Sequence, residues 1–495
     1  MIFKFKLYQL FAYFLIALGF IFSIFQFAYN RSLWLDEASL ALNIIDKSPA
    51  ELLKPLDFNQ VAPILYLQIT KLFSILIPDS EYGLRLFSLI CYLLSLILIY
   101  KLSNILIKNK YVRLLTLAFF VFNPLILYFS NEVKQYMGDV FVVVLFLFLT
   151  LKSYLKIRIK YIIISIIGAI CIFLSNITIV IMIGVGLSLF YLDFIKYRRI
   201  KIKYFISLTL VWLVSFTFYY FLFIDGHPTK EIMVNYWNNS NAFLPANPFR
   251  IEFYLFSFQK LKMISNHINI FPNIIYLNVF LFCSLTLAAL WTLLTKKKWD
   301  IILILFIPIL VHLLLSAFQL YPFHLRLILY TFPLFFIVLP IGLEAVINRS
   351  FFLYPKLSKV IILSVIILMG LSFFNTELPI KNEEIKQAID FIERNKKAED
   401  KIYIYYGARR SFEYYTKSGF VHFNNHITFG SSSRAKKQDY LEEIYKLEGD
   451  YWFLFSHVAK DEETYIIYSL DSLGFMRKNS FMTTGASAYL YEINH

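Results

Sequence analysis

Apolar runs of membrane-spanning length recur about eleven times between residues 8 and 375, with basic residues gathered in every second segment between them. A hydrocarbon layer roughly 30 Å thick needs about 20 apolar helical residues. Inside it only helices or closed barrels satisfy their backbone hydrogen bonds. The runs fall at 8–28, 84–104, 112–129, 138–152, 160–174, 178–196, 204–224, 274–295, 301–318, 327–347 and 360–375. Lys108, Lys110 and Arg113 lie in one connecting segment; Lys152, Lys156, Arg158 and Lys160 lie two segments later. The alternation continues through Lys196, Arg198, Arg199, Lys201 and Lys203, then Lys296, Lys297 and Lys298, then Arg349, Lys356 and Lys359. Lys4 and Lys6 fall on the same side, which the positive-inside bias makes cytoplasmic. They precede an apolar run with no small-residue cleavage site, so the first run reads as an uncleaved span.

Composition agrees. Of 495 residues, 59% are apolar, and the mean hydropathy is +0.62, which excludes an ordinary soluble protein. The net charge of +15 needs no nucleic-acid partner, because basic cytoplasmic loops account for it. Cys91, Cys171 and Cys283 all lie within apolar runs, with neither a disulfide framework nor metal-ligand spacing. The expected fold is a polytopic α-helical membrane protein, a bundle over 1–375 with a small extracytoplasmic α/β domain over 376–495. In that tail, apolar Ile385, Ala388, Ile389 and Ile392 have helical spacing. Residues 401–406 and 451–456 read as strands, 439–447 and 462–473 as helices, and 481–492 as a hairpin. Tyr403, Tyr405, Tyr406, Tyr414 and Tyr415 suit either core packing or stacking on sugars.

The non-cytoplasmic side holds the chemistry. Its first segment, 29–83, is too long for a turn, and its apolar stretch through residue 77 is interrupted by Gln68 and Lys71. It reads as helices lying in or dipping into the interface, since another full span would invert every later loop. Within it, Asp36 and Glu37 follow Trp34-Leu35 directly after the first run. Neighbouring residues on a helix point about 100° apart, so the two carboxylates do not converge on one atom. An acidic pair also suits the first turn of a helix. Arg85 opens the second run, Asn131-Glu132-Val133-Lys134-Gln135-Tyr136 follows the third, and Tyr321-Pro322-Phe323-His324-Leu325-Arg326 separates the ninth and tenth.

Acids and cations at one membrane depth fit transfer of a sugar from a polyprenyl-phosphate carrier. The phosphate leaving group needs cations, for which a guanidinium fork is well shaped. The attacking hydroxyl needs a carboxylate base. Arg85 and Arg326 also suit lipid-headgroup anchors, Lys134 a partner for Glu132, and His324 a solvated interface. There is no phosphate-binding glycine loop, dinucleotide fingerprint or metal motif. No cofactor is required, and a divalent cation on the acidic pair has no positive support.

The motif order resembles the GT-C membrane glycosyltransferases. Within them it is similar to the family that includes protein O-mannosyltransferases and the lipid A aminoarabinose transferase. Trp34-Leu35-Asp36-Glu37 resembles that family's acidic first-loop motif, residues 59–66 its proline-tyrosine segment, and 81–86 its entry to the second span. Residues 128–136 resemble the second acidic loop, and 321–333 the late arginine-proline segment. The resemblance implies an inverting transferase on the outer face of the cytoplasmic membrane, using a polyprenyl-phosphate sugar. The acceptor would be a lipid, a polysaccharide or a protein. Asp36 would be the base, with Glu37 and Glu132 binding the acceptor or a cation. Where members carry His or Lys before a double proline, this chain has Val61-Ala62-Pro63. Lys54, Lys134 or Arg326 would replace that cation at the donor, with Arg85, Tyr136 and His324 as further substrate contacts. The competing readings are a polymerase or ligase on the same carrier, and a transporter or flippase. For the last, no internal repeat is found and the acids lie at span ends.

Overall fold

The computed structural model describes residues 7–78, 81–152, 157–196, 198, 202–268, 271, 274–350, 355–432 and 438–493. Two compact units divide the chain: Met1–Phe27, Val61–Ile69 and Leu86–Glu377 in one, and Ala28–Gln60, Thr70–Arg85 and Leu378–His495 in the other.

The first unit is helical. Among the described residues eight helices are long and apolar enough to cross a membrane, from Leu7–Tyr29 to Lys356–Phe374, and each coincides with an expected run. The other three runs are helical but fall outside that set. The run at 112–129 breaks into Lys110–Val121 and Pro124–Phe129. Asn123 causes the break: its side chain accepts a hydrogen bond from Ile126 N at 3.1 Å, and Pro124 sits at the first helical position. The run at 138–152 becomes Tyr136–Leu151, whose 16 residues extend roughly 24 Å at the helical rise. The run at 160–174 becomes Ile157–Leu174. Helix Ile64–Leu76 in the first outer segment has 13 residues and is shorter than the hydrocarbon layer at roughly 20 Å.

The second unit joins parts of the 29–83 segment to the tail. Its sheet has strands β1 (Lys401–Ile404), β2 (Ile427–Phe429), β3 (Gly449–Ser456), β4 (Met476–Thr483) and β5 (Ala486–Ile493), in the order β2-β1-β3-β5-β4. β1 pairs in parallel with β2 and β3, while β5 runs antiparallel to β3 and β4. Parallel neighbours need crossovers, here supplied by helices Arg409–Lys417 and Gln438–Ile444. The run Trp452-Phe453-Leu454-Phe455 in β3 is fully buried, because both faces of this central strand are covered. Helix Ile385–Asn395 covers one face, where Phe391 meets Trp452 edge-on at 5.9 Å. Tyr403, Tyr405, Phe453 and Tyr489 pack with Ile466 and Leu470 on the other. Tyr403, Tyr405, Tyr414 and Tyr415 are all at most 2% exposed, so of the two roles open to them they take core packing. Sequence periodicity finds neither the three-residue strand β2 nor the polar helix Arg409–Lys417.

Candidate active site

Asp36 and Glu37 occupy the first turn of helix Leu35–Asp46, where carboxylates complement the helix dipole. The helix rotates them apart. Glu37 is 0% exposed and turned inward, while Asp36 is half-buried. Arg31 reaches Glu37 Oε2 with Nη1 at 2.8 Å, and Arg85 Nη2 lies 3.4 Å from Oε1. Both guanidiniums are 1% exposed. Arg85 also donates to Asn30 Oδ1 at 3.0 Å, Arg31 O at 2.7 Å and Ser32 O at 3.4 Å. Residues 30–32 therefore wrap around one guanidinium. This arrangement ties Glu37 and Arg85 into the loop, and Asp36 is the acid of the pair nearer solvent. Lys71, read from the sequence as an interruption, donates to Ile44 O at 2.7 Å and Ile45 O at 3.1 Å, capping the far end of the helix. Lys54 is exposed at the end of the turn Glu51–Leu53.

The remaining expected residues lie in the other unit. Glu132, Lys134 and Tyr136 are buried at 1%, 6% and 5% exposure. Ser88 Oγ donates to Glu132 O at 2.7 Å and Lys134 O at 3.3 Å, which fixes the turn carrying them. Gly138 follows; a Cβ there would lie 2.9 Å from the far edge of the Phe87 ring, which would have to shift to admit it.

His324 and Arg326 flank Trp237. Its ring centroid lies 5.1 Å from the His324 ring, and Arg326 Cζ lies 5.1 Å over its face. Lys260 of helix Ile251–Ile268, which the sequence reading missed, belongs to the same group. Its ammonium sits 4.8 Å over the Phe256 ring, makes no ion pair among the described residues, and has its pKa lowered by burial. Burial, and then the charges of Arg326 and Lys260, push His324 down to about 4. Its Nδ1 is buried with no hydrogen-bond partner among the described residues. Three basic side chains drawn together, His324 and Arg326 on the Trp237 ring and Lys260 on Phe256, make a place for an anion. Among the described residues no group of three or more His, Cys, Asp or Glu could hold a metal ion.

The depressed His324 pKa has a direct consequence. Between about 6.5 and about 4 the unfolded chain binds a proton that the folded chain does not, so stability falls as pH drops through that window. Acidification from about pH 7 to about pH 5 is therefore expected to lower the melting temperature less in His324→Gln than in the wild type. Equal acid sensitivity of the two proteins in a melting series would remove His324 as a neutral, buried member of the group.

No family model and no curated protein sequence matches the chain. Among solved structures, the chain is similar to ArnT from Cupriavidus metallidurans, in its form bound to undecaprenyl phosphate and in its apo state. Each comparison gives 12% identity and a TM-score of 0.54, and covers 97% of both chains. At that identity the likeness is one of fold, and it covers nearly the whole chain. The chain therefore has an ArnT-like fold.

Proposed function

We propose that the protein transfers a sugar from a polyprenyl-phosphate donor to an acceptor hydroxyl on the outer face of the cytoplasmic membrane, with inversion. The observation that carries this reading is the divided acidic pair. A buried ion cluster fixes the start of helix Leu35–Asp46 and leaves Asp36 half-exposed on its first turn. The full-length fold likeness to a protein seen with undecaprenyl phosphate supports the donor class.

In this reaction Asp36 accepts the proton of the acceptor hydroxyl. The acceptor oxygen forms a bond to the anomeric carbon as the bond from that carbon to the phosphate oxygen breaks. Polyprenyl phosphate leaves with one more negative charge than it carried in the donor. Cations are therefore worth more in the transition state than in the ground state. Lys260 and Arg326, with neutral His324 as a hydrogen-bonding neighbour, fill that role. They stand in for the cation absent at Val61-Ala62-Pro63.

The test is transfer in proteoliposomes offered a panel of polyprenyl-phosphate sugars and crude envelope acceptors. Lys260→Met is expected to lower kcat/KM for the donor by about 100-fold, and Lys260→Arg to retain most of it. Unchanged kinetics in Lys260→Met would move the leaving phosphate elsewhere. A donor that supports no transfer but binds and is carried across the bilayer would replace the reading with transport.

A further inference from the structure

The residues that lead into Asp36 are held largely by the tail. Ser32 N and Ser32 Oγ both donate to Glu384 Oε2 at 3.3 Å, and Ser32 Oγ accepts from Lys386 N at 3.0 Å. Lys386 Nζ donates to Asn30 O at 2.8 Å and pairs with Glu81 Oε1 at 2.8 Å. Glu81 in turn accepts from Asn30 Nδ2 at 2.8 Å through Oε2. Leu33 N donates to the Tyr415 hydroxyl at 2.7 Å. Leu33, Glu384 and Tyr415 are at most 2% exposed, so water does not compete for these bonds. Burial, and then the nearby Glu81 charge, hold the Tyr415 phenol well above the ordinary tyrosine range, so its oxygen accepts as a neutral hydroxyl.

The same tail helix reaches both ends of the Asp36 helix. Helix Arg409–Lys417 packs along Leu35–Asp46, contributing Tyr415 at the entry and Lys417, which pairs with Asp46 at 2.6 Å, at the exit. Between these points, Trp34 lies against His457, ring centroids 5.9 Å apart, and His457 Nδ1 is 2.7 Å from Glu383 Oε1. A free-standing tail would need none of this. A bond from Leu33, three residues before Asp36, translates directly into where the carboxylate stands.

We propose that the C-terminal α/β domain is a working part of the catalytic apparatus: Glu384, Lys386 and Tyr415 are positioning residues that set the place of Asp36. The proposal rests on the transfer reaction above for its kinetic readout only. Displacement of a general base by a fraction of an ångström costs rate without costing donor affinity.

The experiment compares Tyr415→Phe, Lys386→Met and Lys386→Arg with the wild type in proteoliposomes. It reads kcat and donor KM per folded molecule, together with hydrogen exchange of the amides of residues 35–46. Expected are kcat losses of about 10- to 100-fold in Tyr415→Phe and Lys386→Met, with donor KM within about twofold, and recovery in Lys386→Arg. Exchange of those amides should quicken in the first two variants and not in the third. A purely structural role would lower melting temperature and yield, but leave kcat per folded molecule and the exchange of this helix as they were; that result overturns the proposal. If the wild type transfers from no donor while exchange still quickens in the variants, the reaction is wrong and the positioning stands. If exchange is unchanged, the positioning is wrong whatever the rates. Should Tyr415→Phe fail to fold, the Lys386 pair carries the same comparison.

Discussion

Asp36→Asn is expected to lower transfer by about 10³-fold or more while leaving the protein inserted and folded. The substitution keeps the side-chain volume and removes the basic oxygen. Without it, the acceptor hydroxyl must reach the anomeric carbon still protonated, and general-base help of about 10²- to 10⁴-fold is lost. The stability change should stay within about 1 kcal/mol, because Asp36 is half-exposed and Asn keeps its shape and its capacity to accept a hydrogen bond. Initial rates at saturating donor, beside a thermal melt of the same preparation, make the comparison. A melt like that of the wild type with a collapsed kcat assigns the base. Equal rates would take the role from Asp36 and make Glu132 the next acid to replace. A collapsed rate with a collapsed melt would show that Asp36 supports the fold, and Glu132→Gln would then be compared in the same way.

The bundle was legible because lipid restricts it so severely. A long apolar run has one stable outcome in hydrocarbon, a helix that satisfies its own backbone. The divergence of Asp36 and Glu37 was also legible, since it follows from helical rotation alone. Which of the two turns inward was not. That depends on Arg85, 48 positions away from Glu37, and on Arg31, six positions before it. Neither pairing leaves a periodic trace. Lys71 shows the same limit. In sequence it breaks an apolar pattern, whereas in the fold its ammonium closes the carbonyl end of a helix from another part of the chain. In the tail, strands of continuous apolar character such as β3 announced themselves. β2 has three residues, too few to show alternation. Helix Arg409–Lys417 buries a short face, Ser411, Phe412, Tyr414 and Tyr415, within an otherwise charged segment. Lys260 escaped notice because a lysine in an amphipathic helix reads as a solvated charge until His324 is folded near it.

Glu37→Ala is expected to be the most destabilising substitution in the 29–83 segment, at about 3–5 kcal/mol, a large share of the stability of a typical domain. Glu37 lies between two guanidiniums that are each 1% exposed. Removing it leaves two like charges facing each other without water. Removing either arginine still leaves Glu37 paired with the other, so each should cost less than the loss of the acid. The two arginines should still differ. Arg85 also serves Asn30 Oδ1 and the carbonyls of Arg31 and Ser32. Those acceptors would lose their donor in Arg85→Ala, at about 1–3 kcal/mol for each that finds no other. The expected order of melting temperatures is therefore wild type, Arg31→Ala, Arg85→Ala, Glu37→Ala. Melts in a single detergent, with yields of inserted protein, check it. A Glu37→Ala protein that melts with the wild type would mean the cluster is not what holds the loop. Replacing all three residues with apolar ones of similar size separates fold from function. The buried charges then vanish together, and much of the stability should return. The carbonyls of residues 31 and 32 would still lack their donor, and the segment leading into Asp36 would lose one of its two anchors. A folded protein with little transfer is the expected outcome, because the cluster's charges do less for stability than for the direction in which the next turn of helix presents its acid.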